Sequence, residues 1–150
     1  MTVILCATRG GKSSIPNQQW AIDLAKKRNA KLIFLYVTSV RFLDNLSSPL
    51  LVDVAHELDE MGEFLLSMAC DRAEQSGLAA RGIVRQGIFR EALAEVIDER
   101  QVDTVVLGAS TALTGVTTAQ YISILAEIVL EQGAEMYVVD AGQLKHHFQK

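Results

Sequence analysis

Residues 3–14 of the 150-residue chain read VILCATRGGKSS, and this stretch sets the predicted fold. Its first five residues form a continuous apolar run that ends abruptly at a polar segment with two glycines. Short apolar runs of this kind are typical of strands buried on both faces of a parallel sheet. Ser14 and Pro16 then mark the start of a helix. The stretch therefore predicts a strand, a loop and a helix in succession.

The same succession recurs along the rest of the chain. Further strands are predicted at residues 32–37, 79–85, 104–109 and 136–139, with a helical pattern before each one, and the strand at 79–85 is less apolar than the others. Alternating strands and helices make a parallel sheet with helices on both faces. We therefore predict one α/β domain over residues 1–150, a doubly wound five-stranded parallel sheet with four helices. Residues 143–150 are predicted to form a polar tail.

The longest predicted helix covers about residues 50–75. Spacings of three and four place one apolar stripe on it, which is expected to face the core: Leu51, Val54, Leu58, Met61, Leu65, Met68 and Ala69. The acidic residues of this helix are expected to form its solvated face: Asp53, Glu57, Asp59 and Glu60.

Composition excludes several functional classes. Hydrophobic residues make up 49% of the chain, which is enough for a folded core, and the formal net charge of −4 offers no basic surface for nucleic acid. The apolar runs are too short to span a bilayer, and the amino terminus does not resemble a secretory signal. We therefore expect a cytoplasmic protein without nucleic-acid or membrane partners. Cys6 and Cys70 lack metal spacing and are interpreted as buried hydrophobes, so no metal site is predicted.

Two loops follow strands at the edge where parallel sheets bind ligands. The first contains Arg9, Gly10 and Lys12, and its backbone N–H groups, the helix amino terminus and two cations would favour an anion. It is not a Walker A loop, because Cys6 replaces the first glycine of that motif. The second loop, with Ser110 and Thr111, is rich in hydroxyls and has no charge. Each loop is also compatible with a plain strand-to-helix connection.

The whole chain resembles a universal stress protein. The resemblance rests on residues 3–37, on the turn at 86–93, on Val102-Asp103-Thr104-Val105-Val106-Leu107-Gly108, and on the closing helix and strand with Tyr137-Val138-Val139. It implies a Rossmann-like fold and an adenine nucleotide between the two loops. The positions that would then line the site are Ala7, Thr8, Arg9, Gly10, Lys12, Val37, Leu107, Gly108, Ser110, Thr111 and Ser123.

The chain departs from the nucleotide motif of ATP-binding members, G-x2-G-x9-G-[ST]. Gly108 matches its first glycine, whereas Thr111 stands at the second. Ile122 and Ser123 fall near the Gly-Ser pair, and Arg9 replaces the aspartate that reads adenine. Glycine allows a phosphate to approach the backbone closely, so its loss is expected to weaken ATP binding or abolish it.

The leading interpretation is a stress-response binding or signalling module without catalytic residues. Neither loop holds paired carboxylates or a nucleophile beside a base. A small anion, ATP or AMP would bind weakly at most. Two alternatives remain open: an adenine-nucleotide-binding or hydrolysing protein that uses residues 9–14, and a flavin or redox carrier. A homodimer is predicted through Met136, Tyr137, Val138 and Val139, since an apolar edge strand invites pairing and the resemblance implies the same contact.

Overall fold

The computed structural model describes residues 2–8, 12–38, 48–108 and 119–150. Within these residues, strands and helices alternate through most of the chain, and a 3-10 turn at Lys12–Ser14 precedes the first helix. In chain order the elements are β1 (Val3–Ala7), α1 (Ile15–Arg28), β2 (Lys31–Thr38), α2 (Ser48–Gln75), β3 (Ala80–Gln86), α3 (Phe89–Arg100), β4 (Thr104–Gly108), α4 (Ala119–Glu131), β5 (Glu135–Asp140) and β6 (Gln143–Phe148).

The sheet has the order β3-β2-β1-β4-β5-β6. Its first five strands are all parallel, which confirms the predicted doubly wound α/β fold. Strand order reverses between β1 and β4, which lie side by side with Ala7 opposite Leu107. Ala7 also lies opposite Leu35 of β2, so the carboxyl ends of β1, β2 and β4 meet at one edge.

The predicted polar tail is wrong, because residues 143–148 form a sixth strand that pairs antiparallel with β5. Ala141 and Gly142 connect the two strands and both have positive φ, 51° and 79°, as a two-residue type I′ hairpin turn requires. The sheet-edge position predicted for Met136, Tyr137, Val138 and Val139 is therefore also wrong. These β5 residues lie between β4 and β6, and each is at most 9% exposed.

Two apolar layers cover the faces of the sheet. On one face, α1 and α2 pack over Ile4, Cys6 and Phe34. On the other face, α3 and α4 pack over Leu5, Val105 and further buried aliphatic residues. Successive strand residues point to opposite faces, so both layers draw on the same continuous apolar runs.

The core-facing stripe predicted for α2 is partly wrong. Ala69 is fully buried as expected, but Met61 and Met68 are 47% and 41% exposed. The sheet-facing side carries smaller residues instead: a Cβ atom on Gly62 would lie 2.9 Å from the Tyr36 ring, and one on Gly82 of β3 would lie 2.9 Å from Leu66 Cβ. Close packing of the helix on β2 and β3 thus selects the Gly62 face over the more apolar methionine face.

Candidate functional site

The candidate site is the sheet edge where β1, β2 and β4 end. Ala7 and Leu107 lie side by side there, and Val37 packs against the same apolar layer. Thr8 and Gly108 are the next residues on their strands, at the point where strand order reverses. Such a point is where open parallel sheets bind ligands. The structure thus brings together five of the residues proposed from sequence, an apolar wall and two strand ends.

Six other proposed residues are placed less directly. Lys12 lies in the exposed 3-10 turn that leads into α1. Ser123 is exposed on α4, and it is the fifth residue of that helix. The unbonded N–H groups of a helix belong to its first turn, so the backbone of Ser123 is poorly placed to bind a phosphate. Arg9, Gly10, Ser110 and Thr111 lie outside the residues that the structure describes.

The Thr8 side chain is held by a pair of residues that sequence reasoning missed. Gln18 Nε2 donates a hydrogen bond of 2.9 Å to Thr8 Oγ1, and Arg72 Nη1 donates one of 2.7 Å to Gln18 Oε1. Gln18 is only 1% exposed. In the sequence, Gln18 stands three residues before Ala21, and this spacing places both on the buried side of α1. This chain of contacts fixes the end of β1 against both α1 and α2.

Gly108 has a structural neighbour that explains the absence of a side chain. A Cβ atom at this position would lie 2.9 Å from Nδ2 of Asn17 on α1. The same Asn17 side chain accepts a hydrogen bond of 2.9 Å through Oδ1 from the backbone N–H of Gly142, in the β5–β6 turn. Asn17 therefore joins the candidate site to the final hairpin.

Among the residues that the structure describes, two buried oxygen atoms near the carboxyl end of β2 have no hydrogen-bond partner, Thr38 Oγ1 and Asp59 Oδ1. Thr38 lies opposite Gln86, two residues beyond Tyr36, which contacts the Gly62 position of α2. Because α2 runs antiparallel to β2, Asp59 reaches the same level about one helical turn before Gly62. The interpretation of Asp59 as part of a solvated face is thus wrong for this carboxylate oxygen.

The thiols of this chain are kept in the neutral form. Burial raises the pKa of Cys6 to about 12. Burial also raises the pKa of Cys70, helped by the negative charges of Asp71 and Glu74. A thiolate is the reactive form, so the raised pKa disfavours reaction at either thiol. Cys6 is buried as predicted, whereas Cys70 is only partly buried.

The described residues offer little else that suggests metal or membrane chemistry. They contain no group of three or more His, Cys, Asp and Glu residues able to hold a metal ion. Across the same ranges, none of the helices is both long and apolar enough to cross a bilayer.

A cleft of about 620 Å³ opens at the opposite end of the sheet, where β4 and β5 begin. Its central group is Arg28, which donates hydrogen bonds of 2.8 Å to Glu135 Oε1, 3.1 Å to Thr104 Oγ1 and 2.6 Å to the Tyr137 hydroxyl. Another lining residue, Asp103, accepts a bond of 2.8 Å from the backbone N–H of Val3. Because these polar groups already pair with one another, this cleft is a weaker candidate than the carboxyl edge.

Fold and site together define a doubly wound α/β domain with its candidate ligand edge at the reversal of strand order. The match of a family model sharpens this class: the universal stress protein family model matches residues 1–140. The chain belongs to the universal stress protein family. No curated protein matches it at a significant level.

Solved structures repeat the fold over nearly the whole chain. A universal stress protein from Lactobacillus plantarum has a TM-score of 0.72 at 17% identity, covering 92% of this chain and 97% of that one. A universal stress protein in complex with cAMP has a TM-score of 0.66 at 23% identity, covering 93% and 97%. A family member from Arabidopsis thaliana with AMP bound has a TM-score of 0.58 at 12% identity, covering 93% and 91%. Identities this low support the shared fold alone.

Proposed function

We propose that this chain is a stress-response binding or signalling module that takes an adenine nucleotide weakly at the carboxyl edge of β1, β2 and β4. The observation that carries the proposal is the meeting of Ala7, Val37 and Leu107 beside two strand ends at the reversal of strand order. Family membership supports it, as do the fold relatives solved with cAMP and with AMP.

The weak affinity for a nucleotide follows from the residues that would face its phosphates. A tight phosphate site uses glycines and free backbone N–H groups at a helix amino terminus. In this chain Ile122 is 8% exposed and packs into the core, and Ser123 lies beyond the first turn of α4. Gly108 is in contact with the Asn17 side chain, so its missing Cβ already has a structural role. We therefore propose Lys12, with Arg9 from the preceding residues, as the main attraction for an anion.

The proposal includes a homodimer, and in this structure β6 covers the β5 edge through which the sequence predicts the contact. The cytoplasmic location stays a prediction from sequence. Catalysis is the second candidate function: an adenine nucleotide hydrolase would use residues 9–14. The exposed cation of Lys12 favours this candidate, since it could stabilise charge on a transferred phosphate.

Analysis of co-purified ligand tests the proposal. Protein purified at low salt is denatured and the released small molecules are identified by ultraviolet absorbance and mass spectrometry. We expect AMP or another adenine nucleotide at well under one equivalent, and no flavin. A hydrolysis assay with ATP on wild type and Lys12→Ala separates the second candidate, since turnover that falls in the variant would favour an enzyme. A stoichiometric flavin would contradict the proposal.

A further inference from the structure

The last strand covers the most apolar edge of the sheet and buries little of itself. Met136, Val138 and Val139 of β5 have no exposed surface. Five of the six residues of β6 are exposed, and Phe148 alone packs partly against the core. The family model matches residues 1–140, so β6 begins after the matched segment. A strand with so few apolar contacts opens more easily than the sheet it covers.

A latch at each end holds β6 in place. At the turn, Asn17 Oδ1 accepts the hydrogen bond from the Gly142 N–H. At the far end, the His147 ring stacks on Tyr137 with centroids 4.0 Å apart and planes 5° from parallel. His147 Nε2 also lies 3.2 Å from Glu135 Oε2, and Arg28 holds the other oxygen of that carboxylate.

We propose that β6 is a releasable cover, and that its release opens the β5 edge to the β5 strand of a second copy of this chain. Two copies related by a two-fold axis across a sheet edge pair their strands antiparallel. The β6 strand is itself antiparallel to β5, so it uses the same backbone N–H and C=O groups that the second copy would use. Docked β6 and a paired second copy therefore exclude each other.

The exposed edge of β6 is poorly suited to pair with a strand of a second copy. It carries the exposed Lys145, and a charged side chain on an edge strand opposes pairing with another copy. An uncovered β5 is the opposite case, because its apolar side chains and unpaired backbone groups favour a partner strand. The inference rests on the proposed homodimer, and it adds the condition under which the dimer forms.

Two adjacent histidines provide a matched test in the full-length chain. His147→Ala removes the stacking on Tyr137 and the contact with Glu135, whereas His146→Ala removes a ring whose nearest aromatic neighbour is Phe148, 6.0 Å away. Amide hydrogen exchange reports opening of β6, and sedimentation equilibrium reports the dimer. We expect His147→Ala to speed exchange in residues 143–148 about tenfold. Both copies must open, so the dimer should strengthen by about the square of that factor, about a hundredfold. The His146→Ala variant should resemble wild type.

Opening the other latch gives an independent variant in case His147→Ala fails to fold. Asn17→Ala loses the bond to Gly142, while Gln19→Ala on the same helix loses an exposed bond to Asp23. Dimerisation that strengthens in step with β6 exchange supports the inference. A dimer of equal strength in all variants, with β6 protected, overturns the inference and leaves the homodimer standing. Faster β6 exchange in a chain that stays monomeric overturns both the inference and the homodimer. Unchanged β6 exchange in His147→Ala and in Asn17→Ala contradicts the claim that these two contacts hold β6 in place.

Discussion

Replacing Gly108 with alanine tests why a glycine ends β4. The new Cβ would lie 2.9 Å from Asn17 Nδ2, so the Asn17 side chain must move. Its movement removes the hydrogen bond that Oδ1 accepts from the Gly142 N–H. Loss of this bond costs about 1 kcal/mol, and residual crowding at the strand end adds about as much. We therefore expect Gly108→Ala to lower the free energy of unfolding by about 2 kcal/mol.

A double-mutant cycle separates this structural role from a ligand role. In an Asn17→Ala background the crowding is absent, and Gly→Ala at a compatible backbone position gains about 0.5 kcal/mol. Urea unfolding of the four proteins should therefore give a coupling energy of about 2.5 kcal/mol between the two positions. Additive costs would refute the role assigned to Asn17. A loss of AMP binding in both backgrounds would instead assign Gly108 to the ligand.

Three further substitutions probe polar groups near the candidate site and at the starts of the strands. Arg28→Met should lower the free energy of unfolding by about 2 kcal/mol at neutral pH. Burial alone would raise the pKa of Glu135, but hydrogen bonds from Arg28 and His147 bring this pKa below its ordinary 4.5. Urea unfolding should therefore show a smaller difference between variant and wild type as the pH falls below 4.5. Gln18→Leu, which removes both bonds to Thr8 and Arg72, should cost about 1–2 kcal/mol in the same assay, whereas Gln19→Leu should stay within about 0.5 kcal/mol of wild type. Thr38→Val removes a buried hydroxyl that has no hydrogen-bond partner among the described residues, and it should raise the thermal midpoint by the equivalent of about 1 kcal/mol; a lowered midpoint would show that this hydroxyl has a partner.

The parallel sheet could be predicted because the apolar run that marks each strand in the sequence is also what requires both faces of that strand to be buried. Apolar runs such as residues 3–7 have no polar face, and a strand of this kind is stable only when helices cover both sides. The structure places runs of this kind in β1, β2, β4 and β5. Composition and alternation alone thus fix the class of fold.

The sixth strand escaped prediction because it lacks that signal. Residues 143–148 read QLKHHF and are almost entirely exposed, so main-chain pairing and two local latches define the strand. The available signal was Gly142, two residues after the end of β5, where a left-handed residue permits a tight hairpin. Side-chain patterning predicts burial, and it carries no information on an edge strand that buries little.

The candidate site was predictable in position but not in its supporting residues. The rule for parallel sheets located Ala7, Leu107 and Gly108 at one edge. It could not show that Gln18 and Asn17, both on α1, reach that edge, because such contacts depend on the angle at which the helix packs. Polar residues in the first turns of α1 therefore support the site without a signal in the residue pattern.

Calorimetric titration with ATP, AMP and inorganic phosphate is the most direct test of weak nucleotide binding at the carboxyl edge. Wild type is compared with a chain carrying Arg9→Ala and Lys12→Ala. We expect ATP to bind no more tightly than a Kd of about 0.1 mM, a binding free energy near about −5.5 kcal/mol, and to bind more weakly still without the two cations. Micromolar ATP binding, or an affinity that the two substitutions leave unchanged, would contradict the account.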